Sequence, residues 1–334
     1  MDLITGKKDL LASLPVIGKL KRWGIWGQVL SLAMIFLFFG IGTDGRFIST
    51  DNLHALLGLA GVPMLLAIGI HQTVIIGGMD LSLEGVVAIG GVSVGLLLKN
   101  NNNANDFGFW IIPVVLVIGC VVGIINGLIH TKLKMPSFIA TLGVSWVFYG
   151  LAILVSRGAS IPIQDNRFQR LVTGSDLGIP NITLMVVFFL IIFEIFQSYI
   201  RTGTAMYAIG GDETLAKQAG INVDRVKIII FALAGVVYGF TALLLVTRLN
   251  SAAGRVGNLL LFPSMTAVAV GGVALTGGLG MARNAVLGAL IIVSLNNGMV
   301  MMRISPYAQD AVNGLVLIAA VAMTIDRKKL GFIK

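Results

Sequence analysis

Long apolar stretches divided by short polar breaks run through the chain. A helix needs about 20 mostly apolar residues to cross a bilayer, because each residue advances about 1.5 Å through roughly 30 Å of hydrocarbon. Ten stretches meet or approach that length: 25–42, 53–77, 82–98, 109–130, 136–156, 182–200, 228–247, 262–281, 285–302 and 307–325. The second and third nearly touch at Gly77–Ser82, and the eighth and ninth at Arg283–Asn284. The predicted fold is all-α, a polytopic integral membrane protein of about ten transmembrane helices. A basic arm over 1–24 precedes a single transmembrane domain over 25–326, which contains a polar connector over 201–227. A basic tail covers 327–334.

Composition excludes the soluble alternatives. Of 334 residues, 56% are hydrophobic and only 12% are charged, against about 25% charged in an ordinary globular domain. That charge cannot cover a water-facing surface of this size. The 42 glycines suit closely packed membrane helices. Gly91 and Gly95, then Gly119, Gly123 and Gly127, then Gly235 and Gly239 repeat at four-residue spacing and so share helix faces. Packing within one bundle and a subunit interface both fit such stripes. The single Cys120 has no partner for an intrachain disulfide. His54, His71 and His130 lack metal-ligand spacing.

The net charge of +9 is a topology signal before it is anything else. An even number of crossings puts both termini on one side. That side then holds the arm, Lys132, Lys134, Arg201, Lys217, Arg225, Lys227, Arg283 and the tail, 16 of the 24 Lys and Arg residues. Both termini are expected to be cytoplasmic, with the basic face attracted to an anionic lipid bilayer. No basic run is interleaved with aromatics, so nucleic acid is not an expected partner. The first apolar stretch has the length of a full crossing and no small-residue cleavage site, unlike a signal peptide. The loop Arg157–Asn181 is long enough to pack over the outer mouth.

Few ionisable residues fall within apolar stretches, where an unpaired charge costs several kcal/mol. Glu194 sits near a span end and reads as a snorkelling or helix-paired carboxylate. Asp80 and Glu84 follow Gly77 and Gly78, where two glycines and an acid mark a broken backbone at the start of a helix. Asp80 can cap free N–H groups there, or, with Ser82 and Glu84, gate or contact a translocated polar solute. Asn126, Ser137, Thr141 and Asn297 are candidates to line a wet path, or else to hydrogen-bond between helices.

The glycine run Gly271–Gly280 follows no strand and has no acid about 20 residues on, so it is not a dinucleotide fingerprint, and no phosphate-binding loop is present. No Ser/His/Asp set, Cys/His pair or carboxylate pair recommends an enzyme. The connector 201–227 is more informative. Gly210 and Gly211 break the chain, Asp212 can cap a short helix, Glu213 suits its positive end, Lys217 its negative end, and Gly220 terminates it. Leu215, Ala216 and Ala219 give that helix a small apolar face, fitted either to a groove in a cytosolic partner or to a plain surface loop.

Five segments carry a family resemblance. Gly77–Ser82 resembles the Gly-Gly-x-Asp-Leu-Ser signature of permease subunits of bacterial monosaccharide ABC importers, the ribose, xylose and galactose type. Pro136–Gly143 is similar to the next signature, Ala208–Val223 to the cytoplasmic coupling segment, and Gly271–Gly278 and Asn297–Met299 to further signatures. The resemblance runs in register over residues 44–326. It implies a multi-pass protein of the bacterial inner (plasma) membrane that forms a translocation path for a sugar or similar small polar solute. It implies a second permease subunit, expected to be an identical copy, a cytosolic ABC ATPase that binds ATP and magnesium, and a periplasmic or lipid-anchored sugar-binding protein. This chain itself would carry no cofactor and no catalytic residue, and its segment Gly210–Gly220 would touch the ATPase. Two departures stand out. Family members usually have a small residue where this chain has Glu84, and often acids where it has Leu261–Met265. The alternative class is a secondary transporter working without an ATPase, for which midplane ion sites are expected.

Overall fold

In the computed structural model, residues 25–100, 103–176 and 178–324 are described. The arm 1–24 and the tail 327–334 lie outside the described residues.

Each of the ten apolar stretches carries a helix. In chain order the helices are α1 (Trp26–Gly42), α2 (Thr50–Ile75), α3 (Leu83–Leu97), α4 (Ile111–Lys132), α5 (Ser137–Ser156), α6 (Asn166–Thr173), α7 (Asn181–Tyr199), α8 (Arg201–Gly211), α9 (Glu213–Gln218), α10 (Val223–Arg248), α11 (Leu261–Val270), α12 (Ala282–Met301) and α13 (Pro306–Thr324). Six helical segments, Thr50–Ile75, Gly108–Lys132, Ser137–Ser156, Asn181–Tyr199, Val223–Arg248 and Ala282–Met301, are long and apolar enough to cross a bilayer. Shorter apolar helices, α1, α3 and α11, stand beside them. The molecule is therefore an all-α polytopic membrane protein.

At 26 residues each, α2 and α10 are the longest helices and form the centre of the bundle. They meet where Gly69 leaves room for the buried ring of Tyr238. The glycine stripes turn out to be internal contacts. Gly119 and Gly123 of α4 lie against the backbone of Gly235 and Phe231 in α10, so closely that a Cβ would overlap carbonyl oxygens. Gly91 and Gly95 of α3 receive Val246 and Ala252 side chains in the same way. Close approach of this kind maximises dispersion contact where lipid offers no hydrophobic drive between helices.

The connections sort into two ends. The basal end carries α8 and α9. There Lys132 pairs with Asp224 at 3.1 Å and Arg283 with Glu194 at 3.0 Å, which makes Glu194 a helix-paired carboxylate. At the distal end, the loop 157–181 holds α6 and three of the four short strands that make two small antiparallel ribbons. β1 (Ile161–Pro162) pairs with β4 (Ser251–Ala252), and β2 (Ser175–Asp176) with β3 (Ile179–Pro180). Asp165 caps α6 by accepting from Arg167 N at 3.0 Å, and Arg167 also pairs with Asp165 and Asp106.

The eighth stretch is the main correction. A helix over 262–281 was expected, but α11 stops at Val270 after ten residues. Gly272, Gly277, Gly278 and Gly280 have φ of +76°, +89°, +77° and +120°, so the glycine run is a chain of turns that cannot continue a right-handed helix. The segment before α11 is irregular too. Gly254 lies against Ile153 of α5 and Gly257 against Glu84 of α3, which places this non-helical backbone inside the bundle. Such backbone is tolerated at membrane depth only where protein covers it or it lines a cavity.

Candidate functional site

Two interrupted elements define the site. The first is the junction Ile76–Ser82 between α2 and α3. Its free N–H groups need acceptors, and α5 supplies them. Ser137 Oγ accepts from Met79 N at 2.9 Å, Thr141 Oγ1 from Leu81 N at 2.9 Å, and Ser145 Oγ from Gly85 N at 3.1 Å. These three hydroxyl residues stand four apart on α5 and so lie along one face of it. Without Thr141 and Ser145 the amides of Leu81 and Gly85 would be left unpaired inside the bundle, each costing about 1–3 kcal/mol.

The acid of the junction looks inward. Asp80 is only 2% exposed. Its Oδ1 accepts from Ser82 N at 2.9 Å and from Ser82 Oγ at 2.6 Å. Ser82 Oγ in turn accepts from Asn126 Nδ2 of α4 at 2.8 Å, and Tyr238 of α10 lies near the Asp80 carboxylate. Asp80 thus closes a local turn onto Ser82, ahead of the first residue of α3, and the chain Asp80–Ser82–Asn126 joins the junction to α4.

Glu84, one turn further along, is half-buried and reaches the second interrupted element. Its Oε1 accepts from Leu261 N at 3.2 Å, at the first residue of α11, where the helix dipole favours negative charge.

Of the path candidates, the structure gathers Asp80, Ser82, Glu84, Asn126, Ser137 and Thr141 around the two breaks. Asn297 stands apart, at the distal end, where its Nδ2 donates to Asn52 Oδ1 at 2.9 Å. Ser145 and Tyr238 belong to the site and were not singled out by sequence. The four-residue spacing of Ser137, Thr141 and Ser145 was the available signal for the first; Tyr238 left none.

The connector folds as two helices. The chain breaks at Asp212, not at the glycine pair, because α8 includes Gly210 and Gly211. Asp212 Oδ1 accepts from Leu215 N at 3.0 Å, and Gly220 takes a φ of +83°, as the pattern of cap and terminator requires. Glu213 pairs with Lys227 at 2.7 Å and so ties α9 to α10. The expected single face does not form. Ala216 is buried, whereas Leu215 is 61% exposed and Ala219 lies beside it one turn on, also exposed. Tyr207 anchors α8, its hydroxyl 2.9 Å from Gln197 Oε1 and 2.8 Å from Gly280 O. Burial, followed by the Glu194 carboxylate, pushes the Tyr207 phenol well above its ordinary value, so it stays a donor.

A polytopic bundle with interrupted helices at its centre and a structured basal connector is the architecture of a membrane transport subunit, a permease. The comparisons agree. Residues 52–321 match the family described as the branched-chain amino acid transport system permease component, and the chain belongs to that family. It is 34% identical to the ribose import permease protein RbsC of Haemophilus influenzae over 280 residues, 82% of this chain and 85% of that one. It is 32% identical over 320 residues to the galactose/methyl galactoside import permease protein MglC of Escherichia coli, covering 91% and 94%. It is also 32% identical over 310 residues to the L-arabinose transport system permease protein AraH of Escherichia coli, covering 92% of each. No solved structure matches the chain.

Proposed function

We propose that this permease is the membrane-spanning half of an ATP-driven importer for a sugar or similar small polar solute. A pair of identical subunits forms the path in the bacterial inner membrane. All ten apolar helices traverse the bilayer, with α11 and the irregular backbone before it sharing one crossing, and both termini face the cytoplasm with the basal end. A cytosolic ABC ATPase binds ATP and magnesium and drives the cycle, and a periplasmic or lipid-anchored binding protein delivers the solute at the distal end. The relatives support the solute class, since their names specify ribose, galactose and arabinose.

The observation that carries the reading is the geometry of α8 and α9. A short capped helix is fixed to α10 by Glu213–Lys227, buries Ala216, and presents Leu215 outward. An exposed apolar anchor on a two-turn helix suits a hydrophobic groove in a partner. A secondary transporter has no use for such an element.

The test is co-purification of this chain with a cytosolic ABC ATPase co-expressed with it. Leu215→Asp places a charge on the exposed anchor and is expected to abolish retention of the ATPase while the bundle stays folded. Wild-type retention by that variant, or solute transport by the purified chain alone, would overturn the reading.

A further inference from the structure

Three glycine-bearing segments that are remote in sequence, the end of helix α8 and two turns, meet at the basal end. Gly210 of α8 lies on the carbonyl of Ile75, the last residue of α2, and against the backbone of Gly278. Gly278 N donates to Ile75 O at 2.8 Å. A Cβ on Gly277 would stand 2.8 Å from Gly77 N and 3.1 Å from Gly210 O, and one on Gly278 would stand 2.8 Å from Gly211 N. A Cβ on Gly210 would overlap Ile75 O. Gly77, Gly277 and Gly278 also hold φ of +74°, +89° and +77°, open to glycine and strained for other residues. The closeness is local: a Cβ on Gly211 would meet nothing within 4 Å.

We infer that Gly210, Gly277 and Gly278 form the joint through which movement of the ATPase-docking segment reaches the two interrupted elements. Side chains between moving parts change rotamer and absorb displacement. Here backbone presses on backbone, so a shift of α8 must move its neighbours. One neighbour, Ile75–Gly77, leads into the Asp80 junction. The other, Gly277–Gly278, lies between α11 and α12. Tyr207 holds the far side of the same turn through Gly280. A single displacement is thereby shared between both breaks, which meet again at Glu84 and Leu261. Packed interfaces shift between discrete arrangements and do not deform continuously, which is the condition for transmitting such a push. Gly210, Gly277 and Gly278 are thus positioning residues for transport. The inference rests on the reading of α8 and α9 as the docking element.

The experiment uses the complex of this chain with its ATPase and binding protein in lipid nanodiscs and proteoliposomes. Gly210→Ala and Gly278→Ala are compared with wild type and with Gly150→Ala, whose Cβ would meet open space. The readout is ATP hydrolysed per solute imported by the assembled complex isolated by size-exclusion chromatography, so that dissociated ATPase does not contribute. Both joint variants are expected to retain the ATPase and to raise this ratio roughly tenfold, with Gly150→Ala at the wild-type value. A wild-type ratio in the joint variants overturns the inference. Should they fail to assemble, spin labels at Thr214→Cys and Thr276→Cys in a Cys120→Ser chain give the second measurement. Their separation is expected to stay constant between nucleotide-free and nucleotide-trapped complexes, while that between Thr276→Cys and Ala159→Cys changes. Any other pattern in the two pairs overturns the inference. Failure of wild type to hold the ATPase would instead overturn the docking reading beneath it.

Discussion

Glu84 Oε1 accepts a hydrogen bond from Leu261 N at 3.2 Å, linking the first turn of α3 to the first turn of α11 across 177 residues of sequence. Both helices begin inside the bundle, so the bond joins two free ends. Glu84→Ala removes the acceptor and is expected to lower stability by about 1 kcal/mol, the usual worth of a helix cap. Glu84→Gln keeps a side-chain oxygen and should fall between the two. Thermal unfolding in detergent ranks the three proteins, and equal melting temperatures for wild type and Glu84→Ala would contradict the capping role.

The hydroxyl face of α5 is a second target. Thr141→Val preserves shape but leaves Leu81 N without its acceptor. An unpaired amide in this setting costs about 1–3 kcal/mol. Ser145→Ala does the same to Gly85 N. Each is expected to lower the melting temperature, whereas Thr141→Ser, which retains the hydroxyl, should stay close to wild type.

The contact of α4 with α10 sets a third expectation. Gly119→Val would drive a branched side chain into the backbone of Gly235. Overpacking generally costs about 1–3 kcal/mol, and more where the obstacle is backbone that cannot rotate away. Little monodisperse protein is expected from this variant on size-exclusion chromatography. Gly150→Ala, with no neighbour in reach, should elute like wild type.

The distal end supplies a pH dependence. Hydrogen bonds from Arg167 hold the Asp165 carboxyl below its ordinary value of 3.8. A group whose folded value is depressed contributes stability that is fully present above the unfolded value and is lost as pH falls through the folded one. Melting temperature of wild type should therefore hold down to about pH 4 and then drop, relative to Asp165→Asn, as pH falls further. Asp165→Asn lacks the ion pair throughout, so the gap between the two proteins should close under acid. A gap that is constant with pH would argue against the assignment.

Much of this molecule can be read from the chain because lipid is a simple solvent. It demands apolar stretches of fixed length, and all ten predicted stretches hold helices. Local rules carried further: Asp212 caps α9 and Gly220 follows its end in the left-handed conformation, as their chemistry requires. The rules failed where two segments compete for one region of space. An apolar, glycine-rich run at 262–281 satisfies hydropathy equally well as a helix or as a half-helix followed by turns, and only the backbone of α12, Gly77 and Gly210 selects the second. The same holds for the small face of α9, where Ala216 turns inward because α8 and α10 bury it. Sequence by itself determined the membrane class, the helical stretches and the capped connector, since these depend on residues close together in the chain. Tertiary structure alone decided which polar atoms meet. The ladder from Ser137 to Ser145, the reach of Glu84 to Leu261 and the meeting of Gly77, Gly210 and Gly278 each depend on contacts whose partners lie about 60 or more residues apart, and no periodic pattern encodes the distance between them.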